Sequence, residues 1–222
     1  MKRLATGLAA MLPALLAGCG GVFESSLAAP QTYVLRMPFK AVPAGTDGQA
    51  GADGQAAGAG SLLVRRPQAA PGLDSNRIAL LRSDRRFDFY AASLWAAPAP
   101  DVLESVVIDA MRSAGTFTAV LDDASPFVPR YDLRITLRRF EADYTNDGKG
   151  GSGRAPTIYV VLDCTLGRHR DRALLSSFTA QGSAIADEDR LGAVVAAFEA
   201  ATAGAMAELT RITAATIAAE KP

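Results

Sequence analysis

Few side chains in this 222-residue sequence are suited to nucleophilic or acid–base chemistry: there is one histidine, His169, and there are two cysteines, Cys19 and Cys164. A serine or cysteine nucleophile needs a base within hydrogen-bond reach. His169 lies in a predicted turn between two arginines, which is typical of a solvated residue. Cys164 alternates with apolar residues on a predicted core face, as a small buried side chain would. Neither residue is predicted to be catalytic.

Carboxylate pairs and glycine-rich motifs also fail to predict a reaction centre. Asp122–Asp123 and Asp187–Asp189 each lie beside the end of a predicted element, where solvated acidic residues are common. The glycine-rich stretch 148–153 lacks the G-x-x-x-x-G-K-[ST] spacing of a phosphate loop and joins two strands. An EF-hand beginning at Asp143 would place Arg154 where the last calcium ligand should be. A closed zinc site needs four ligands, and the chain has three His and Cys residues. We therefore expect no enzyme, no cofactor and no bound metal.

The basic residues do not predict a nucleic-acid-binding protein. The chain has 23 Lys and Arg against 23 Asp and Glu, an isoelectric point near 6.6 and no long basic run, whereas such binders carry a basic excess. Predicted surface arginines, namely Arg134 and Arg138 on one strand and Arg85 and Arg86 in a hairpin, could contact phospholipid head groups or an acidic partner. A solvated sheet face is the simpler account of the same residues.

The N-terminal residues have the layout of a bacterial lipoprotein signal peptide. Lys2 and Arg3 precede an apolar stretch over 4–17, which is shorter than the ~20 residues needed to span a bilayer. The tetrad Leu16-Ala17-Gly18-Cys19 resembles the lipobox, in which the cysteine thiol receives a diacylglyceryl group before cleavage. We therefore predict a signal peptide over 1–18 and lipid attachment at Cys19. The alternative is an ordinary signal peptide with a cysteine nearby by chance.

An acylated Cys19 would hold the protein on a membrane without spanning it, because two or more acyl chains give stable anchoring. Gly20 follows the cysteine where Asp would, in many Gram-negative bacteria, retain a lipoprotein in the inner membrane. We therefore expect the outer membrane, with the protein facing the periplasm. Residues 19–30 are predicted to form a lipidated tether. Residues 41–60, which are rich in Gly and Ala, are predicted to form a flexible loop.

Alternation of apolar and polar residues predicts a series of strands. The clearest one begins at Tyr131, where every second residue to Leu137 is apolar and those between are polar. Phe140 breaks this parity, which predicts a bulge near Arg138 and Arg139. The other predicted strands cover residues 31–39, 61–67, 76–81, 86–94, 117–121, 158–166 and 174–181.

Two helices are predicted from apolar residues at spacings of three and four. The first follows Asp101, which is expected to cap the free amides together with Glu104, and it ends at Gly115. The second runs from Asp187 to about Ala219, with the acidic residues 187–189 in its first turn, where they complement the helix dipole. We expect its alanine-rich surface to pack against the sheet rather than against a coiled-coil partner.

These motifs together resemble one family, the ABC-type transport auxiliary lipoproteins, which includes the paraquat-inducible protein C type. The resemblance combines the lipobox with a Leu-Asp…Arg-Ile segment, a Tyr…Trp-Ala segment before an amphipathic helix, and a Leu-x-Ile…Phe-Glu strand. The matching residues are Leu73, Asp74, Arg77, Ile78, Tyr90, Trp95, Ala96, Leu133, Ile135, Phe140 and Glu141. It runs from Tyr33 nearly to the C-terminus, so we assign residues 31–222 to one domain. The 41–60 segment departs from the short connection usual in that family.

The resemblance implies a non-enzymatic outer-membrane lipoprotein that works with an MCE-domain protein, an ABC permease and its ATPase in lipid transport between the membranes. ATP chemistry would belong to the partners, and a homo-oligomer docked on a symmetric MCE ring is compatible with this role. It also implies an α/β sandwich: a largely antiparallel sheet of about six to eight strands with two amphipathic helices packed on it. The alternative is a lipoprotein that binds lipid or another small ligand in its own apolar cavity, independently of an ABC transporter.

Overall fold

A computed structural model describes residues 29–37, 59–145 and 155–220 of the chain. The predicted signal peptide, Cys19, most of the tether, residues 41–58 of the predicted loop and the glycine-rich stretch 148–153 lie outside these residues. Nine strands and two helices occur within them, in the order β1 (Gln31–Tyr33), β2 (Ser61–Val64), β3 (Gln68–Ala69), β4 (Arg77–Leu81), β5 (Phe87–Trp95), α1 (Ala99–Ala114), β6 (Ala119–Leu121), β7 (Tyr131–Asp143), β8 (Thr157–Arg168), β9 (Ala173–Ile185) and α2 (Leu191–Ala219).

The long strands β7, β8 and β9 form an antiparallel meander that makes up most of the sheet. Buried apolar residues alternate with polar ones along β7, as predicted, and the register with β8 shifts between Leu137 and Arg139. This shift is the predicted bulge. It returns Phe140 to the core, where only 1% of the residue is exposed.

The other edge of β7 is shared by three short strands that lie one after another along it, each parallel to it. β2 pairs with its start, β3 with its middle and β4 with its end. β6 pairs with β2 in parallel. β5 pairs with β4 in antiparallel, and β1 pairs with β5 in parallel. Since the meander and the β4–β5 pair are the longest ladders, the sheet is largely antiparallel, as predicted, with nine strands instead of six to eight.

Several strand boundaries differ from the sequence-based expectation, and the clearest cases are β1, β2 and β9. β1 ends at Tyr33 instead of residue 39, because Tyr33 pairs with Trp95, the last residue of β5. The predicted strand over 61–67 is divided into β2 and the two-residue β3. β9 extends to Ile185 rather than 181, because β8 supplies partners over its whole length.

Helix α1 begins earlier than predicted, so the predicted capping role of Asp101 is wrong. Pro98 occupies the N-cap position and no side chain caps the helix. Pro100 stands at the second helical position, where proline has its φ already fixed near the helical value. Asp101 lies inside the first turn and pairs with Arg66, and the helix ends, as predicted, at Gly115 in the left-handed conformation.

Helix α2 begins later than predicted, at Leu191, and residues 187–189 precede it. The proposed stabilisation of its dipole by these residues is therefore wrong. Among the described residues, α2 is the one helix long and apolar enough to cross a membrane by length and composition. Its buried residues instead pack on β8 and β9, as the alanine-rich surface predicted.

The contact between α2 and β9 is close because small residues meet there. A Cβ atom added at Gly182 of β9 would lie 2.0 Å from the carbonyl oxygen of Ala201 and 2.7 Å from the amide nitrogen of Ala205. Ala201 and Ala205 are fully buried. The helix backbone therefore rests on the strand backbone, with no side chain between them.

Both helices cover one face of the sheet, and a cluster of aromatic rings lies at its centre. Trp95 is 1% exposed, as expected of a core residue, and its ring centroid lies 5.2 Å from that of Phe198 on α2 and 5.6 Å from that of Phe140 on β7. The cluster joins the helix layer to the sheet layer.

Candidate functional site

The two residues best suited to nucleophilic chemistry do not meet in the described part of the chain. Cys164 is buried within β8, where its thiol donates to the carbonyl oxygen of Leu162 over 3.7 Å, and burial raises the pKa of this thiol to about 12. Its predicted role as a small core side chain is confirmed. His169 follows the end of β8, with Nδ1 2.6 Å from Oδ2 of Asp132. It is thus tied to a carboxylate instead of being merely solvated, which the sequence did not show.

The acidic groups singled out in the sequence bind neighbouring segments. Asp123 accepts a hydrogen bond from Nη1 of Arg65 at 2.9 Å and another from the amide of Arg66 at 3.0 Å. Asp189 accepts one from the hydroxyl of Tyr144 at 2.6 Å. No group of three or more His, Cys, Asp or Glu residues suited to a metal ion occurs in the described part of the chain.

The four arginines singled out in the sequence do not form one patch. Arg138 pairs with Asp163 across the β7–β8 ladder at 3.3 Å. Arg85 and Arg86 lie in the β4–β5 turn, near the end of β7, whereas Arg134 lies near its start. A groove, described next, lies at the end of the sheet where β7 begins, and we call this end of the sheet the groove end.

A groove of about 740 Å³ lies at the groove end. Its walls are β7, the residue after β2, and the turn between β8 and β9. Five arginines, one histidine and one carboxylate contribute to the lining: Arg65, Arg134, Arg168, Arg170, Arg172, His169 and Asp132. Because positive groups outnumber negative ones in this lining, the groove is suited to an anion.

Asp132 organises one wall of the groove. Its Oδ1 accepts hydrogen bonds from Nε and Nη2 of Arg65 at 3.3 and 3.0 Å, while its Oδ2 holds His169. The backbone amide of His169 also donates to the carbonyl oxygen of Arg130 at 2.9 Å. The turn is thereby attached to the sheet through both its backbone and its side chain.

The end of α2 forms the support behind this wall. Glu220 accepts a hydrogen bond from the hydroxyl of Tyr131 and lies 3.2 Å from Nη1 of Arg168. Burial, followed by the hydrogen bond to Glu220, raises the pKa of Tyr131, so this hydroxyl stays protonated and remains a donor at neutral pH. The groove end therefore joins the start of β7, the end of β8 and the C-terminal end of α2.

Sequence reasoning identified Arg134 and His169 but missed the groove that unites them. The pairing of Asp132 with Gly167 and of Arg134 with Thr165 brings the turn residues beside β7. The sequence predicted that β7 and β8 form a hairpin. Counting residues away from the loop of that hairpin could have shown that Asp132 and Arg134 lie at the same end of the sheet as the arginines of the β8–β9 turn.

Solved structures share this fold. Protein XCC0632 from Xanthomonas campestris, of the family DUF330, is 32% identical, with 71% of this chain and 85% of that chain covered and a TM-score of 0.62. An uncharacterized protein is 15% identical, with 84% of this chain and 99% of that chain covered and a TM-score of 0.60. No curated protein matches the sequence. The fold thus defines a class of α/β sandwich domains that includes proteins of very different sequence.

A family model narrows this class. The model of the ABC-type transport auxiliary lipoprotein component matches residues 43–210, which is most of the chain. The chain therefore belongs to the ABC-type transport auxiliary lipoprotein family. Membership places the protein in the cell envelope and implies an ABC-type transporter as its partner.

Proposed function

We propose that this protein is an outer-membrane lipoprotein, anchored through an acylated Cys19, that docks the periplasmic MCE component of an ABC-type lipid transport system. It serves intermembrane lipid transport and envelope integrity, and it catalyses no reaction itself. The match of the family model over residues 43–210 carries the proposal.

The side chains of the described domain support a docking role better than a reaction. Cys164 is buried in the core, and His169, although Asp132 orients its ring, has no Ser, Thr or Cys side chain hydrogen-bonded to it among the described residues. The acidic pairs link neighbouring segments. The surface includes a polar sheet face and a charged groove, which are features of a protein that contacts partners.

The decisive experiment is affinity purification of the acylated protein from membranes in mild detergent after brief crosslinking, followed by mass spectrometry. We expect an MCE-domain protein together with its permease and ATPase. A Cys19→Ala variant is the matched control: it should lose the acyl chains and leave the membrane fraction. Absence of all three partners, with the lipid on Cys19 confirmed, would refute docking to this system while preserving the anchor.

The alternative is a lipoprotein that carries lipid or another small ligand in its own apolar cavity. The 740 Å³ groove does not resemble such a cavity, because its lining is largely charged. Mass spectrometry of the purified protein under native conditions separates the two functions. Stoichiometric lipid in addition to the anchor would favour the carrier, and none is expected for a docking component.

A further inference from the structure

Three cations at the groove end have no acidic partner within the described part of the chain. Arg134, Arg170 and Arg172 line the groove and form no ion pair or side-chain hydrogen bond with the described residues. Most other arginines of the domain are paired, as Arg65 is with Asp123 and Asp132. Three free guanidinium groups around one groove are suited to a ligand with several negative oxygens, because each can donate two parallel hydrogen bonds.

The turn that presents two of these arginines is held in a defined shape. His169 is fixed by Asp132 and by the carbonyl oxygen of Arg130, and the amide of Ala173 donates to Asp171 at 3.2 Å. Arg172 adopts a left-handed φ of 57°, which costs a non-glycine residue some stability. The surrounding contacts maintain this conformation, so the turn keeps its arginines beside the groove.

Exposed apolar side chains occur at the same end. Phe127 and Val128 are 72% and 79% exposed, and they lie just before Arg130, whose carbonyl oxygen binds the turn. Leu174, opposite Gly167 in the ladder, is 65% exposed. Leu174 also lines the groove. Exposed apolar side chains at the same end as clustered arginines are compatible with a surface that enters the head-group region of an anionic membrane.

We propose that the groove binds a phosphate-bearing group, and that its source is the head group of an anionic phospholipid. Arg134, Arg170 and Arg172 hold the phosphate oxygens, while Phe127 and Val128 contact the adjoining apolar region. A free phosphate ion has the same negative oxygens, but it has no apolar part for Phe127 and Val128 to contact. This proposal and the proposed function have only the lipid anchor at Cys19 in common, and phosphate binding in the groove does not depend on an MCE partner.

The test keeps the protein on its own anchor. Full-length acylated protein is reconstituted into phosphatidylcholine vesicles on beads, and fluorescent second vesicles of phosphatidylcholine, with or without phosphatidylglycerol, are added. We expect retention of the phosphatidylglycerol vesicles only. Replacing Arg134, Arg170 and Arg172 by Ala should weaken retention roughly a hundredfold, at about fivefold for each arginine near an anionic surface. The control, R85A with R86A, removes two exposed arginines at the opposite end and should leave retention unchanged.

Two further arms distinguish the sources of phosphate. Phe127→Ser with Val128→Ser should weaken vesicle retention and leave the melting temperature unchanged, because both side chains are exposed. Calorimetric titration with inorganic phosphate at constant ionic strength measures the free anion. Phosphate binding without vesicle retention would overturn the lipid source. Equal retention by the triple variant and the control variant, or binding of neither probe, would overturn the site and leave the groove to an acidic protein surface.

Discussion

Replacing Gly182 by Ala tests the central packing of the domain, where α2 rests on β9. The new Cβ would lie 2.0 Å from the carbonyl oxygen of Ala201, 2.7 Å from the amide nitrogen of Ala205 and 3.0 Å from the carbonyl carbon of Ala201. All three are backbone atoms of a helix, so no flexible side chain can move aside. The helix must shift away from the sheet as a unit.

Overpacking of a close-packed core costs about 1–3 kcal/mol, and the rigid neighbours place this substitution near the upper value. Alanine is also intrinsically better than glycine in a strand by about 0.5–1 kcal/mol, which offsets a small part of the loss. For a domain of this size, 1 kcal/mol lowers the melting temperature by about 2–4 °C. The net loss of about 2–2.5 kcal/mol therefore predicts a melting temperature lower by about 4–10 °C.

The assay is thermal unfolding followed by circular dichroism, with two other glycines as graded controls. A Cβ at Gly204 would meet Gly182 Cα at 3.4 Å, and one at Gly192 would meet only the mobile end of Arg190 at 3.6 Å. Gly204→Ala should have a small effect, and Gly192→Ala should stabilise by up to about 1 kcal/mol through helix propensity. If Gly182→Ala melts at the wild-type temperature while Gly192→Ala behaves as expected, α2 does not rest on β9 as described.

Three other outcomes follow from the same structure. Phe198→Ala should cost about 3–5 kcal/mol and shift the fluorescence of Trp95, the single tryptophan, to longer wavelength; unchanged emission would contradict the aromatic cluster. Because burial raises the pKa of Cys164 to about 12, iodoacetamide should label this thiol only after denaturation, as peptide mass spectrometry would show. Burial alone would raise the pKa of Asp143, but hydrogen bonds from Thr145 and Arg139 outweigh it and hold that pKa below the ordinary 3.8. The resulting stabilisation is present above pH 3.8 and is lost in acid, so the stability gap between wild type and Arg139→Ala should narrow between about pH 5 and 2; a constant gap in urea unfolding would refute it.

The sequence predicted those parts of the fold that depend on local pattern. Alternation along β7 showed the buried face, and the break at Phe140 showed the bulge, because both are consequences of the twofold period of a strand. β3 has two residues and therefore no pattern to detect. The start of α1 was misplaced because Asp101 and Glu104 match a capping box equally well inside the first turn.

The groove could not be predicted by the same reasoning, because no local signal specifies it. Asp132 and Arg134 precede the β8–β9 turn by more than thirty residues in sequence. They meet this turn only through the register of the β7–β8 ladder. His169 illustrates the difficulty. Its neighbours in sequence are cations, whereas its closest partner in space is a carboxylate.

The placement of β2, β3 and β4 along a single edge of β7 affects how the domain can form. Each of these strands finds its hydrogen-bond partner roughly 60 to 70 residues later in the chain, and such distant pairings slow folding. In a chain made from its N-terminus, β4 can pair with β5, and β2 with β6, before β7 exists, but these pairs are joined to one another only through β7. The first half of the domain therefore consists of separate, incomplete strand pairs until residues 131–143 are available.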